Sequence, residues 1–211
     1  MRTSLRLAAI LRLALASFFL ACLQLADWTA RPAKAAPLML GTYASDAPEL
    51  PMYDPHAFEL RGGFQVEARQ SNEYGTVDVG GDLVFPRFFT LSALPDVLTP
   101  RFQIGGMFNT AGRTDFVHAD LLWTANYTDR IFSDLFFGVT VHDGHLGHDS
   151  PEFNALGCRA LFHVGADVGY RFTPRWSAMV VLDHSSAGTG LTNCSANQSL
   201  NQVGLKFGYR F

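Results

Sequence analysis

Near the end of the chain, His184 and Ser186 have side chains and a spacing that would allow them to act together in catalysis. Residues two positions apart on a β-strand project to the same side, so the imidazole and the hydroxyl would lie within reach of each other. This is the arrangement of a hydroxyl nucleophile with its general base. The alternative is that both residues only mark the point where a strand leaves an apolar environment, where polar residues are expected in any case.

Alternating polar and apolar residues indicate that strands position this pair. The alternation begins at Phe58 and continues to Phe211, the last residue. Eight segments show it, near residues 58–67, 77–85, 102–108, 117–127, 131–141, 162–172, 176–182 and 203–211. On the apolar side, the seventh segment continues to His184 and Ser186, and the eighth reaches back to Asn201.

The two sides of these strands differ strongly in polarity. One side is aliphatic and aromatic, whereas the other carries charged residues and histidines such as Asp82, His163 and Lys206. A water-soluble lipocalin-like barrel would turn the charged side outward, and a membrane barrel would turn it into the lumen. The even number of strands, their lengths of about ten residues and the aromatic residues at their ends favour the membrane barrel. We therefore predict an all-β fold, an eight-stranded antiparallel transmembrane β-barrel of the outer-membrane type.

The first residues of the chain have the pattern of a secretory signal. Arginines precede an apolar run at 13–23, and Ala33-Lys34-Ala35 provides the small residues that a signal peptidase requires. The predicted divisions are a signal peptide at 1–35, an irregular periplasmic lead-in at 36–57 and the barrel at 58–211. An alternative cleavage before Cys22 would leave a lipidated cysteine at the N-terminus. In both cases the expected location is the outer membrane of a Gram-negative bacterium.

Composition excludes several classes of protein. Hydrophobic residues make up 48% of the 211 residues, charged residues 17%, and the formal net charge is −3. A disordered tail would be poorer in apolar residues, and a coiled coil or a nucleic-acid-binding module would be richer in charge. We therefore expect no nucleic-acid partner.

The last ten residues, ending on Phe211, resemble the C-terminal sorting signal of bacterial outer-membrane barrels, which implies the outer-membrane assembly machinery as a partner.

Two cysteines remain after the predicted signal, Cys158 and Cys194. An even pair in an oxidising compartment predicts a disulfide. Two separate buried thiols are the alternative. A metal site is not indicated, because two sulfurs so far apart in sequence lack the usual spacing of metal ligands.

The lengths of the connections place the candidate pair at one end of the barrel. Short turns at 128–130 and 173–175 fall on the end where the chain stops, which is periplasmic in such barrels. The longer connections, at 143–158 and 187–200, then lie at the cell-surface end. Because adjacent antiparallel strands are joined by the second of these connections, Asn201 is expected beside His184 and Ser186 on the lipid-facing side.

Several segments resemble the lipid A 3-O-deacylase family, also called outer-membrane acyloxyacyl hydrolases. They are Val141-His142-Asp143-Gly144, Ala155-Leu156-Gly157-Cys158-Arg159, Gly169-Tyr170-Arg171-Phe172-Thr173, Leu182-Asp183-His184-Ser185-Ser186 and Gly204-Leu205-Lys206-Phe207-Gly208-Tyr209-Arg210-Phe211. The resemblance covers most of residues 58–211. It implies an eight-stranded outer-membrane barrel that cleaves an ester-linked acyl chain of lipopolysaccharide with an outward-facing histidine, serine and acid.

The resemblance assigns roles to individual residues and shows two departures. The base matches His184 and the nucleophile matches Ser186, whereas the family's acid falls on Asn201 and its usual next residue, Asn, falls on Ala187. Asp183 cannot replace the acid, because the alternation turns it into the lumen. The implied partner is lipid A in the outer leaflet, and no cofactor is implied. The alternative function is a non-catalytic small barrel that binds lipopolysaccharide or stabilises the envelope.

Other histidines give weaker indications. His142, His145 and His148, with Asp143 and Asp149, could chelate a divalent metal in the connection after the fifth strand, although a solvated or pH-responsive loop explains them as well. His118 and His163 fall on lumen faces with Asp120 and Asp167, which indicates a packed polar network.

Overall fold

The computed structural model describes residues 51–69, 71–89, 95–188, 193–194 and 196–211. The predicted signal peptide and the predicted lead-in as far as residue 50 lie outside these residues. Within the described part of the chain, no helix is long and apolar enough to cross a membrane.

Eight antiparallel strands close into one barrel, because each strand pairs with the next along the chain and the last pairs with the first. They are β1 (Glu59–Glu67), β2 (Val77–Val84), β3 (Arg101–Asn109), β4 (Phe116–Asn126), β5 (Ile131–His142), β6 (Ala160–Arg171), β7 (Trp176–Ser186) and β8 (Leu200–Arg210). The predicted eight-stranded antiparallel transmembrane β-barrel is confirmed. Connections 127–130 and 172–175 lie at one end, the turn end, and connections 143–159 and 187–199 lie at the other, the loop end.

Consecutive residues on one strand show which side of the barrel faces lipid. Leu135 is 61% exposed, whereas Asp134 before it is fully buried. Leu182 is 59% exposed, whereas Asp183 after it is buried. In water the free energy of apolar burial would favour the opposite arrangement. The outer side therefore faces hydrocarbon, and the water-soluble barrel that the sequence left open is excluded.

Charged side chains fill the lumen as ion pairs. The guanidinium of Arg61 lies 2.7 Å from Asp134, 3.2 Å from Asp167 and 2.9 Å from Glu59. Asp167 lies on the lumen side, as predicted, and its carboxylate contacts this arginine. A charge removed from water is costly unless an opposite charge lies beside it, so these pairs allow the polar side of each strand to face inward.

The described part of the lead-in covers the turn end of the barrel. Residues 51–57 contain neither strand nor helix. The ring of Tyr53 lies 4.9 Å from the guanidinium of Arg171 and 5.9 Å from that of Arg101, within the range of cation–π attraction. Arg210 donates hydrogen bonds to the backbone carbonyls of Pro51 and Met52. These contacts attach the chain before β1 to the mouth of the barrel.

Two sets of contacts connect the segments at the loop end. Glu73, between β1 and β2, accepts hydrogen bonds from the hydroxyl of Thr114 at 2.7 Å and from the backbone N–H of Asn154 at 3.1 Å. A disulfide joins Cys158 to Cys194, with 5.4 Å between their Cα atoms and a separation of 36 in sequence. The predicted disulfide is confirmed. A cross-link closing a loop of this size stabilises a fold by roughly 3–4 kcal/mol in the chain-entropy model, and here it holds the connection that follows β7.

We expect Leu205→Arg to lower the free energy of unfolding by about 2–4 kcal/mol, because Leu205 lies midway along β8 on the lipid-facing side. Urea titration in lipid vesicles, with the gel shift between folded and boiled protein as the signal, measures this change. The matched variant Val141→Arg, at the loop end of β5, should cost only about 0–1 kcal/mol. An equal loss of unfolding free energy for the two variants would contradict the assignment of the outer side of the barrel to hydrocarbon.

Candidate active site

The candidate site lies on the outer side of the barrel, where β7 and β8 reach the loop end. The register aligns His184 with Asn201 across these two strands. Ser186 follows His184 by two residues and projects to the same side. His184, Ser186 and Asn201 are all half-buried. The structure therefore brings together the three residues that the sequence placed at this edge.

The three side chains form a continuous chain of hydrogen bonds. Nδ1 of His184 lies 2.7 Å from Oδ1 of Asn201, and Nε2 lies 3.0 Å from Oγ of Ser186. An amide oxygen can only accept, so Nδ1 of the neutral ring carries the proton and donates it. Nε2 is then the acceptor for the hydroxyl of Ser186. In this arrangement the imidazole can remove the serine proton as the oxygen attacks a carbonyl carbon.

Two neighbours fix the orientation of Asn201. Its Nδ2 donates to Oγ of Ser199 at 2.7 Å, and its backbone N–H donates to Oε1 of Glu67 at 2.8 Å. In this structure the first contact occupies Nδ2, and Oδ1 is the amide atom that faces His184. Neither residue was predicted from the sequence, although Ser199 precedes Asn201 by two positions and could have been found from the alternation. Glu67 could not, because its proximity depends on the closure of β1 against β8.

Ala187, which follows the candidate nucleophile, faces away from the site. Its side chain is 2% exposed and belongs to an apolar cluster beneath the loops that includes Met107, Phe116 and Leu200. Its backbone N–H donates to Oδ1 of Asn197 at 2.8 Å. Neither the side chain of Ala187 nor its N–H is therefore directed at a substrate in this structure.

Asp183 lies outside the site, as its position in the alternation predicted. Its carboxylate points into the lumen, where Oδ1 lies 2.8 Å from Nε2 of His163. It cannot replace the acid that the sequence lacks at position 201.

The histidines at the loop end of β5 and in the connection after it do not converge on one point. Nδ1 of His145 lies 2.8 Å from Asp149, and this hydrogen bond holds the pKa of the exposed carboxyl of Asp149 below its usual range. Nε2 of His142 donates instead to the backbone carbonyl of Cys158 at 2.7 Å, and Asp143 accepts the backbone N–H of Asp115. The metal-binding interpretation of this loop thus gains no support from the geometry.

A buried group inside the barrel has residue types found in metal sites. The two carboxylate oxygens of Asp120 lie 2.6 Å from Nδ1 of His118 and 2.7 Å from Nδ1 of His163. The remaining ring nitrogens contact carboxylates as well, at 3.0 Å from Asp82 and 2.8 Å from Asp183. Every ring nitrogen faces a carboxylate, so the group forms the packed polar network that the sequence indicated for these histidines.

The family model for lipid A 3-O-deacylase (PagL) matches residues 101–210, which hold β3 to β8 and the three residues of the candidate site. The chain belongs to the lipid A 3-O-deacylase family. The family predicted from the sequence motifs is confirmed. Membership in the lipid A 3-O-deacylase family, together with the barrel, supports a hydrolase of the lipid A deacylase type and a location in the outer membrane of a Gram-negative bacterium.

Two solved structures align with this member of the lipid A 3-O-deacylase family. The crystal structure of the outer membrane enzyme PagL aligns with 72% of this chain and 98% of its own, at a TM-score of 0.55 and 15% identity. The N-terminal β-barrel domain of Pseudomonas aeruginosa OprF aligns with 74% of this chain and 98% of its own, at a TM-score of 0.47 and 14% identity. At such identity the likeness to PagL shows the fold. No curated protein matches the chain.

Proposed function

We propose that the protein removes an ester-linked acyl chain from lipid A, with Ser186 as nucleophile, His184 as general base and Asn201 as the group that orients the histidine. The observation that carries the proposal is the hydrogen-bonded chain from Asn201 through His184 to Ser186. These side chains lie on the lipid-facing side, so their substrate must be a membrane lipid. Membership in the lipid A 3-O-deacylase family supports lipid A as that lipid.

The geometry supports a two-step transfer. Oγ of Ser186 attacks the ester carbonyl carbon while its proton moves to Nε2 of His184. The tetrahedral intermediate then collapses, the bond to the sugar oxygen breaks, and Nε2 returns the proton to that oxygen. Water attacks the acyl-serine by the same route, with His184 again as base. The fatty acid leaves, and the serine hydroxyl is restored.

An amide at position 201 preserves part of what an acid would provide. In serine proteases, replacing the triad acid by its amide costs about 10⁴ in kcat because the imidazole is held in the wrong tautomer. Here Nδ2 of the amide donates to Oγ of Ser199, and the amide oxygen faces Nδ1 of His184. In this orientation His184 holds the tautomer that the reaction requires. The amide still lacks the negative charge of an acid, which would stabilise the imidazolium. We therefore expect a smaller cost than in the proteases.

Stabilisation of the oxyanion is the weaker part of the site. Ala187 has no side-chain donor, and its N–H already donates to Asn197. The loss of one donor to the developing oxyanion costs roughly 10²–10³ in kcat. We expect turnover to be slow for this reason rather than because the nucleophile is poorly oriented.

The residues found at positions 201 and 187 also favour a second candidate function. Asn201 and Ala187 are the departures expected in a barrel that binds lipopolysaccharide or stabilises the envelope without cleaving an ester. The two functions differ in one product, since only the enzyme releases a free fatty acid.

Two further proposals concern the route to the membrane. Residues 1–35 would be removed as a signal peptide, and the C-terminal Phe211 would be bound by the outer-membrane assembly machinery. The N-terminal sequence of the mature protein tests the first proposal, and loss of assembly after deletion of Phe211 tests the second.

Incubation of the folded, purified protein with lipid A in mixed micelles tests the proposed activity. Mass spectrometry should show lipid A that has lost one acyl chain and an equimolar amount of free fatty acid. Bound but uncleaved lipid A after prolonged incubation would favour the non-catalytic barrel.

A further inference from the structure

Four polar side chains meet inside the barrel near the loop end, and we call them the lumen oxygen group. Gln65 and Glu67 both turn inward from β1. The register aligns Gln65 with Asp78 of β2, and Glu67 with Gln202 of β8. Nε2 of Gln202 donates to Oδ2 of Asp78, so side chains from the two strands that flank β1 are in contact inside the barrel. The four residues are therefore close neighbours.

Each member of the lumen oxygen group has a buried oxygen without a hydrogen-bond partner. All four residues are at most 4% exposed, and Gln65 is completely buried. Within the described part of the chain, the oxygens that accept no hydrogen bond include Oε1 of Gln65, Oε2 of Glu67, Oδ1 of Asp78 and Oε1 of Gln202. Buried polar atoms are nearly always partnered, so four such oxygens in one group indicate a ligand that contacts them together.

Hydrogen bonds already hold three of these side chains in place. Oε1 of Glu67 accepts the backbone N–H of Asn201 at 2.8 Å, which leaves Oε2 free. The contact between Gln202 and Asp78 uses Nε2 of one and Oδ2 of the other, which leaves one oxygen on each. The free oxygens thus belong to side chains whose orientation is fixed before a ligand binds.

The lumen oxygen group carries two carboxylates that lack an opposite charge. Among the described residues, neither Glu67 nor Asp78 forms an ion pair, whereas Asp134 and Asp167 deeper in the lumen both pair with arginine. Glu73 lies close enough to add to the negative charge at both carboxylates. A buried charge is costly unless an opposite charge lies beside it. A doubly charged cation would balance the two carboxylates.

We propose that the lumen oxygen group binds one Ca²⁺ ion. Its free ligand atoms include two carboxylate and two amide oxygens, which hard cations prefer, and the four side chains offer no sulfur or imidazole of the kind that zinc prefers. Ca²⁺ accepts six to eight oxygens in a flexible geometry and completes its shell with water, whereas Mg²⁺ requires a nearly regular octahedron of shorter bonds. The ion joins β1, β2 and β8 on the opposite side of the barrel wall from Asn201. This inference does not depend on the proposed function.

Refolding the purified protein in detergent micelles, with CaCl2 or with EDTA, tests the proposal, because refolding gives the ion access to the closed lumen. Sites in extracellular proteins bind Ca²⁺ with a Kd of about 10⁻⁴–10⁻³ M, so about 10 mM CaCl2 should raise the Tm by about 3–10 °C. Circular dichroism measures the Tm. Equilibrium dialysis against radioactive Ca²⁺ should give one bound ion per chain.

Asp78→Asn keeps the size of the side chain and removes one of the two charges. It should abolish the response of the Tm to CaCl2. In EDTA its Tm should equal or exceed that of the wild type, because a buried carboxylate without an opposite charge has been removed. The matched variant Glu152→Gln removes a carboxylate from an exposed ion pair with Arg113 at the same end of the barrel, and it should respond to CaCl2 as the wild type does.

Two results would overturn the proposal. One is a wild-type protein that binds no Ca²⁺ in dialysis and has the same Tm in CaCl2 and in EDTA. The other is an equal rise of the Tm in the wild type and in Asp78→Asn, which would assign the effect of CaCl2 to another part of the protein or to the micelle. Glu67→Gln, at the other carboxylate, repeats the test with the same expectation if Asp78→Asn does not fold.

Discussion

Ser186→Ala should lower the rate of acyl-chain release from lipid A by at least about 10³-fold, since removal of a nucleophile that acts with its base abolishes the two-step route. The remaining imidazole and amide provide no hydroxyl that could attack the carbonyl carbon. The time course of fatty-acid release by the purified variant, measured by mass spectrometry, gives the ratio of the two rates.

The adjacent serine provides a matched control for this substitution. Ser185 is buried on the lumen side, where its hydroxyl lies 3.2 Å from that of Thr140. Ser185→Ala should retain the activity of the wild type and the same gel shift on boiling. Loss of activity in both variants would indicate a folding defect, and activity that survives Ser186→Ala would identify a different nucleophile.

Asn201→Asp should raise kcat by about tenfold or more, with the roughly 10⁴ lost on the reverse change in a serine protease as an upper bound. The carboxylate would accept the same hydrogen bond from Nδ1 of His184 and would add a charge that stabilises the imidazolium formed during attack. Ser199 would continue to hydrogen-bond the side chain at position 201. Single-turnover rates on lipid A, compared at equal amounts of folded protein, measure the gain.

Asn201→Leu is the companion variant, because it has a similar size but no oxygen to accept from Nδ1. It should lower kcat below that of the wild type, since the imidazole would lose the contact that fixes its tautomer. Equal rates for the asparagine, aspartate and leucine forms would show that position 201 does not act on His184.

The part of the site that the sequence predicted depends on two regular features. Residues at a spacing of two share one side of a strand, which placed His184 with Ser186. Antiparallel strands joined directly by one connection pair with each other, which placed Asn201 opposite His184. Both features are local in sequence, so the alternation alone was sufficient to locate the three residues.

The contacts that support the site could not be predicted in the same way. Glu67 reaches Asn201 only because β1 closes the barrel against β8, and that pairing joins residues 134 positions apart. Arg61 meets Asp134 and Asp167 across the lumen, at separations of 73 and 106 positions. The alternation shows that such side chains face inward, but it does not fix the stagger of the strands that decides which charges meet. For this reason the sequence placed Asp167 in the lumen but could not show that its partner there would be Arg61.

The mass of lipid A extracted from cells tests the central claim most directly. Cells that produce the wild-type protein in the outer membrane should contain lipid A lacking one ester-linked acyl chain. Cells that produce Ser186→Ala at the same level and in the same membrane should contain unmodified lipid A. Unmodified lipid A in both strains, or equal loss of the chain in both, would contradict the account of this protein as a lipid A deacylase with Ser186 as its nucleophile.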